Sequence, residues 1–318
     1  MPRVCVIGSA NIDYTVALPR LPGAGETVSG GMLMINHGGK GANQAVAARR
    51  LGADVRMIGC VGEDRPGTQI REALFARGID VEGVQRTADA PTGTALILVD
   101  AEGRNQIGVA PGANHKLTVE LAKQHEAAIQ WADVVLCQLE VPLAVVLWAL
   151  VAARRHGVPT ILNPAPYRPL PEDVWRYISY LTPNASELGA LTGIEVRDLE
   201  SAREAAGRMT ARGSAAVIVT LGQEGALVCD GDTISHFPAF PVTAVDTTAA
   251  GDAFSGALAV GLAAGGSLEQ AIPLASAAGA LTCTRRGAQD SLPDGADVER
   301  FLKNLRGGDA PGAHGGAR

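Results

Sequence analysis

A chain of 318 residues can bury a sizeable core, as one large domain or two modest ones. Its net charge of −6, with Lys and Arg scattered or at most paired, excludes the basic footprint of a nucleic-acid binder, and its longest apolar run, 143–153, is far too short to span a membrane. Five widely spaced cysteines without a CxxC pair, four of them inside apolar runs, read as buried free thiols, an expectation that goes with a reducing cytoplasm.

In chain order, Val4 to Ile7 predicts a first strand, too short for the apolar region of a signal peptide. The segment after it, Gly8-Ser9-Ala10-Asn11-Ile12-Asp13, lacks the GxGxxG of a dinucleotide site, which argues against a nicotinamide-dependent oxidoreductase. Asn11 and Asp13 lie two residues apart, so on an extended segment they point the same way. An amide beside a carboxylate can grip vicinal hydroxyls; an Asx turn is the competing reading. Tyr14 to Leu18 and Thr27 to Asn36 read as strands around the loop Pro19–Gly25, and Thr92 to Asp100 with Arg104 to Ala110 as a hairpin. No crossover helix separates these strands. They are expected to form a small β-sheet lid, apart from the main sheet, built from about 14–37 and 92–110.

Between them, Gly38-Gly39-Lys40-Gly41-Ala42-Asn43-Gln44-Ala45 opens a helix that ends at Gly52. The small residues allow a ligand close to the backbone, and Lys40 and Asn43 share a helix face. A Walker A loop is excluded, because Met34 and Gly41 stand where it needs Gly and Ser or Thr. A close-packed helix start with a solvated lysine is the structural alternative.

The middle of the chain is regular. Strands are expected at 55–61, 134–138, 159–163, 178–183, 216–221 and 226–230, and helices at 66–77, 119–131, 143–156, 185–192 and 199–212. This alternation predicts an α/β fold: a doubly wound, mostly parallel sheet with helices on both faces. In such folds ligands gather at the carboxyl ends of strands, where Gln138, Glu140, Asn163, Asn184, Glu187 and Thr220 fall. Residues 307–318, rich in Gly and Ala without periodicity, are expected to be a disordered tail after a domain spanning 1–306.

Val245-Asp246-Thr247-Thr248-Ala249-Ala250-Gly251-Asp252-Ala253-Phe254 runs an extended segment through small residues into an apolar helix over 253–264. The first N–H groups of a helix have no internal partners and sit at the positive end of its dipole. Ala249, Ala250 and Gly251 leave room for an anion there, and Asp252 lies on the same turn. An anion cradle beside a carboxylate suits phosphoryl transfer to a hydroxyl. A plain helix start, capped by Thr247 or Thr248 with Asp252 as a first-turn acid, fits the same residues.

Together, the 38–45 and 246–252 segments resemble the two signatures of the ribokinase-like (PfkB) sugar kinases, and the likeness runs from about Arg3 to Arg306. The resemblance implies the doubly wound sheet with a β lid, a homodimer joined through the lid, and transfer of the ATP γ-phosphate to the 5-hydroxyl of D-ribose. It implies Asp252 as general base and the N–H groups of Ala249, Ala250 and Gly251 as the anion hole. Asn11, Asp13, Gly39, Lys40, Asn43 and Glu140 match sugar-binding positions. Asn184, Thr220, Gly222, Gly225 and Ser276 match nucleotide-contacting ones. Glu187 matches the residue that organises the water shell of Mg²⁺. Asp246, Thr248, Thr282, Arg285, Gly287 and Ser291 match the surroundings of a K⁺ ion, held mostly by backbone carbonyls.

The matched residues suit a small polyol, which needs paired donors and acceptors rather than an apolar slot. Deoxyribose, fructose or a nucleoside remain alternative substrates. A non-catalytic sugar sensor is disfavoured because both Gly251 and Asp252 are present.

Overall fold

The computed structural model describes residues 1–306; the expected tail lies outside the described residues. The first half of the chain contains β1 (Arg3–Ile7), β2 (Asn11–Ala17), β3 (Met32–Gly38), α1 (Lys40–Arg50), β4 (Asp54–Gly62), α2 (Arg65–Ala76), β5 (Ile79–Asp80), β6 (Val84–Thr87), β7 (Gly93–Val99), β8 (Asn105–Ala110), α3 (Val119–Lys123), α4 (Glu126–Trp131), β9 (Val134–Cys137) and α5 (Leu143–Arg155). The second half contains β10 (Thr160–Leu162), β11 (Tyr180–Leu181), α6 (Ala185–Thr192), α7 (Leu199–Ala211), β12 (Ala216–Thr220), β13 (Ala226–Asp230), β14 (Thr233–Phe237), α8 (Ala250–Ala263), α9 (Leu268–Cys283) and α10 (Gly295–Arg306).

Ten strands form the main sheet, in the order β14-β13-β12-β11-β10-β9-β1-β4-β5, with β6 also pairing β4. Pairing is parallel from β12 across to β4 and its partners β5 and β6, and antiparallel only for β12–β13 and β13–β14. Helices cover both faces, so β1 can be an unbroken apolar run. Val4 and Val6 join the core that includes Ala42, Val46, Ala253 and Leu258, on the α1 and α8 side. Cys5 and Ile7 point the other way, into a core with Val145, Leu150 and Ala205. The two cores are therefore the two faces of one sheet, as the two-residue strand period requires.

β1 lies between β9 and β4, which lie on opposite sides of it although the chain reaches them in turn. This reversal of winding direction opens a crevice at the carboxyl ends of the strands.

A second sheet, in the order β3-β2-β7-β8, is mixed: β2–β3 and β7–β8 are antiparallel, and β2–β7 is parallel. Its strands begin elsewhere than expected. β2 starts at Asn11 rather than Tyr14, so Asn11 and Asp13 belong to this sheet and form no Asx turn. β3 starts at Met32 rather than Thr27, because Gly30, at φ 98°, ends the extended path.

Other boundaries also move. The single helix expected over 119–131 is two, broken at Gln124 and His125. The strand expected over 178–183 shrinks to two paired residues after a 3₁₀ turn over 172–177. All five cysteines are free, four of them buried. Among the described residues no helix is long and apolar enough to cross a membrane.

Candidate active site

Two helix starts face the crevice. α1 begins after Gly39, whose φ of 86° favours glycine and whose added Cβ would lie 2.8 Å from the Asn11 nitrogen. α8 begins after Ala249, the one non-glycine residue at positive φ (61°) among those described. Neither start has a side-chain cap of its own, whereas α6, α7 and α9 are closed by capping boxes. The first N–H of α1, on Lys40, instead donates to Glu140 Oε2 at 3.0 Å.

At α8, the N–H groups of Ala249, Gly251 and Asp252 donate to no protein acceptor among the described residues. The N–H of Ala250 behaves differently from expectation: it is spent on the Thr247 carbonyl at 3.2 Å. The donors left free for an anion thus include that of Asp252 and not that of Ala250. A Cβ on Gly251 would meet nothing within 4 Å, so the chain here opens directly on the pocket.

Asp252 is buried, at 6% exposure. Its Oδ2 accepts from Asn43 Nδ2 at 3.0 Å, and its Oδ1 from Gln44 Nε2 at 2.9 Å. α1 and α8 can approach closely enough for this because Gly256 lies one turn beyond Asp252. A Cβ on Gly256 would sit 2.7 Å from that of Ala47 and 2.8 Å from the Gln44 carbonyl oxygen.

Asp13 lies across the crevice on β2, and its carboxylate occupies the space that a Cβ on Gly38 would need. Burial, with Glu140 and Asp252 nearby, pushes its pKa up to about 7. The Lys40 ammonium is drawn above its usual value by Asp252 first and by Glu140 and Glu187 as well, against the cost of burial. These five charged groups lie close enough to act on one another. Asn11 is buried beside them, its Oδ1 accepting from Asn114 Nδ2 at 2.7 Å. That bond turns the Asn11 amide nitrogen outward as the available donor.

Two acceptors in this group, Asp13 Oδ1 and Asn43 Oδ1, are buried and have no hydrogen-bond partner. Leaving such an atom unsatisfied costs about 1–3 kcal/mol.

A pocket of about 210 Å³ adjoins them, lined by Lys40, Asn163, Asn184, Glu187, Thr220, Gly251, Asp252 and Ser255 among others. Asn184 and Thr220 are brought together by a parallel bridge. Asn184 and Glu187 also form the capping box of α6, so the polar pair has a structural duty as well. Burial raises the Glu187 pKa, while the Asn184 N–H and Lys40 hold it down. Gly222, Gly225 and Ser276 do not line this pocket. Gly225 instead makes the β13 turn at φ 91°, where a Cβ would strike the Phe237 carbonyl oxygen. Ser276 is half-buried on α9.

Of the residues matched to K⁺, Thr248 and Gly287 are joined through Asp246. Its Oδ1 accepts from the Thr248 N–H and hydroxyl, and its Oδ2 from the Gly287 N–H at 3.0 Å. Burial opposes the charge on Asp246, but those donors and the nearby Arg286 hold its pKa below the usual carboxylate range. The Thr282 and Ser291 hydroxyls are spent on the Ala278 and Ala288 carbonyls, and Arg285 pairs with Asp297. Those three could therefore offer an ion their backbone oxygens. Among the described residues no group of three or more His, Cys, Asp and Glu side chains is arranged to hold a metal.

The residues that pattern reasoning passes over are Gln44, Asn114 and Ser9, which touch the expected site residues. For Gln44 a signal existed: it is a polar residue inside an alanine-rich helical run, and a buried amide must find partners.

The geometry is that of a phosphotransferase site on a doubly wound fold, and comparison with known proteins agrees. Residues 1–295 match the family model of the pfkB family carbohydrate kinases, and the chain belongs to that family. It is 40% identical to the ribokinase of Haemophilus influenzae over 94% of this chain and 98% of that one. It is likewise 40% identical to the ribokinase of Bacillus subtilis over 95% and 100%. The structure of Arabidopsis thaliana ribokinase complexed with ribose and ATP superposes with a TM-score of 0.89, at 34% identity, covering 95% of this chain and 99% of that one.

Proposed function

We propose that the protein transfers the γ-phosphate of ATP to the 5-hydroxyl of D-ribose, giving ribose 5-phosphate. The observation that carries this reading is the pair of buried, unpartnered acceptors, Asp13 Oδ1 and Asn43 Oδ1, close to a carboxylate at a helix start with free N–H groups. A ligand rich in hydroxyl donors satisfies those acceptors.

In the proposed mechanism, Asn11, Asp13, Gly39, Lys40, Asn43 and Glu140 hold the sugar so that its primary hydroxyl meets Asp252. Asp252 takes the hydroxyl proton as phosphate transfer proceeds. The free N–H groups of the 249–252 turn face the charge spreading onto the phosphoryl oxygens, and Lys40 adds a positive charge. Asn184 and Thr220 take part in holding the nucleotide from the pocket wall, with Gly222, Gly225 and Ser276 beyond it. Glu187 suits a Mg²⁺ ion that arrives on the phosphates with its water shell, since hard Mg²⁺ needs few protein ligands. A K⁺ ion near Asp246 would brace the anion hole, and Asp246 fits because it already ties the 246–248 and 287 segments together.

Residues 1–306 act in this reading as one kinase unit with the small sheet as its lid, which closes over the sugar and excludes water. The lid sheet carries exposed apolar side chains, including Leu33, Ile35, Leu96 and Ile107. Contact with a second lid would cover them and form a homodimer. The free thiols suit a cytoplasmic location.

A coupled assay of ribose, 2-deoxyribose, fructose and adenosine, with and without K⁺, tests the proposal. Ribose should lead in kcat/KM, with a sugar lacking one bonded hydroxyl roughly 10²-fold or more behind, and K⁺ should raise turnover. Faster phosphorylation of fructose or adenosine, or sugar-independent ATP hydrolysis at the same rate, would overturn it.

A further inference from the structure

We propose that Gln44 is a positioning residue for Asp252: it fixes the carboxylate in the orientation needed to take the sugar proton. The inference rests on the reading of Asp252 as the base. Gln44 is fully buried within the run Ala42 to Ala48 of α1. Its amide is held at both ends. Nε2 donates to Asp252 Oδ1 at 2.9 Å and to Asn163 Oδ1 at 3.2 Å, and Oε1 accepts from Gln138 Nε2 at 2.6 Å.

This network leaves one orientation. Turned over, the amide would set its oxygen against the Asp252 and Asn163 oxygens and its nitrogen against the Gln138 nitrogen. Gln138 and Asn163 directly follow β9 and β10, so Gln44 ties the base to the rigid sheet. Asn163 is anchored in turn by donating to the Thr182 carbonyl at 2.9 Å. Gln138 fits because Gly8 has no side chain: a Cβ there would sit 2.0 Å from Gln138 Oε1.

Asn43 holds the other carboxylate oxygen, so the plane of Asp252 is pinned at two points. Asn43 keeps an unpartnered oxygen, whereas every polar side-chain atom of Gln44 is engaged within the protein. Gln44 therefore acts on the reaction through Asp252 and not through the substrate.

The test compares Gln44→Met, Gln44→Glu and Gln138→Met with the parent protein, in ribose-dependent kinetics over pH 5.5–8.5 and in thermal melts. Gln44→Met should lower kcat by about 10²-fold, as for a misplaced catalytic group, with the KM for ribose within about threefold. Gln44→Glu can donate to Asp252 only when protonated, so its activity relative to the parent should fall as pH rises. Gln138→Met, which frees the Gln44 amide, should show a weaker loss of the same kind and keeps the test open if a Gln44 variant fails to fold. In an Asp252→Asn background, Gln44→Met should cost less than about twofold, because paired residues acting as one unit are not additive.

A kcat within twofold of the parent for folded Gln44→Met, a loss carried by KM alone, or a full additional loss in the Asp252→Asn background would overturn the positioning role while leaving Asp252 in place. Undiminished turnover in Asp252→Asn itself would overturn the base and this inference with it.

Discussion

The N–H of Lys40, the first of helix α1, donates to the carboxylate of Glu140 at 3.0 Å across 100 residues of sequence. The Ser9 hydroxyl bonds the same Glu140 oxygen, Oε2. Glu140 is thus the cap that Gly39 cannot supply, and it keeps Oε1 for other partners. One carboxylate joins the helix start and the turn after β1, and in the proposed reading it also holds the sugar.

That double duty separates two variants. Glu140→Gln keeps an oxygen for the Lys40 N–H and should melt near the parent, yet its KM for ribose should rise. Glu140→Ala should lose the cap as well, at about 1 kcal/mol of stability, with kcat/KM down by roughly 10–10²-fold for a lost charged hydrogen bond. Urea denaturation and initial rates measure both; an unchanged ribose KM in either variant would remove Glu140 from the sugar site.

Gly251→Ala should move stability and activity in opposite directions. A methyl group there meets no protein atom, and alanine is favoured over glycine within a helix by about 1 kcal/mol. In the proposed reading, the same methyl stands where an anion approaches the free N–H groups of the 249–252 turn. The variant should melt at or above the parent temperature while kcat/KM for ATP falls by about 10²-fold, the cost of losing one oxyanion donor. A stable variant of full activity would place the phosphate elsewhere.

Asp13 predicts opposite pH trends for stability and affinity. Its folded pKa is raised by burial and by Glu140 and Asp252 to about 7, above the ordinary carboxylate value of about 3.9. Between these values the folded state binds the extra proton, so the free protein loses stability as pH rises from about 4 to about 7. Ribose affinity should rise over the upper part of that window, because the ionised carboxylate is the better acceptor. Melting curves and calorimetric titrations with and without Asp13→Asn check this. A parent stability profile no steeper than that of the variant would count against it.

The exposed apolar residues of the small sheet bear on assembly. By strand register, Leu33, Ile35 and Leu96 share one face, and Met34, Ile107 and Val109 share the other, with Asp13. Replacing Ile35 or Met34 by Glu, one on each face, should shift a dimer to monomers for whichever face forms the contact, as read by light scattering. If both variants and the parent have the same mass, the lid does not hold the copies together.

Several elements are legible in the sequence because local chemistry sets them. α6 spans the expected 185–192, between an Asn184 capping box and Gly193 in the left-handed region. β13 also falls on the expected 226–230, between turn glycines. The break between α3 and α4 is not legible, since no Gly or Pro marks it between Lys123 and Glu126. Nor is the start of β2 at Asn11, which its pairing with Gly38 and Gly93 decides.

By itself the sequence determines the alternation of strands and helices, the two glycine-rich helix starts and the acid at position 252, since each depends on spacing and backbone freedom within a few residues. Tertiary structure alone decides what those groups meet. Glu140 caps a helix 100 residues away, and Gln44 reaches Asp252 across 208. The physical reason is that a buried polar group is satisfied by whatever the packed helices and sheet bring within 3 Å, and that neighbour is set by the packing of the whole chain.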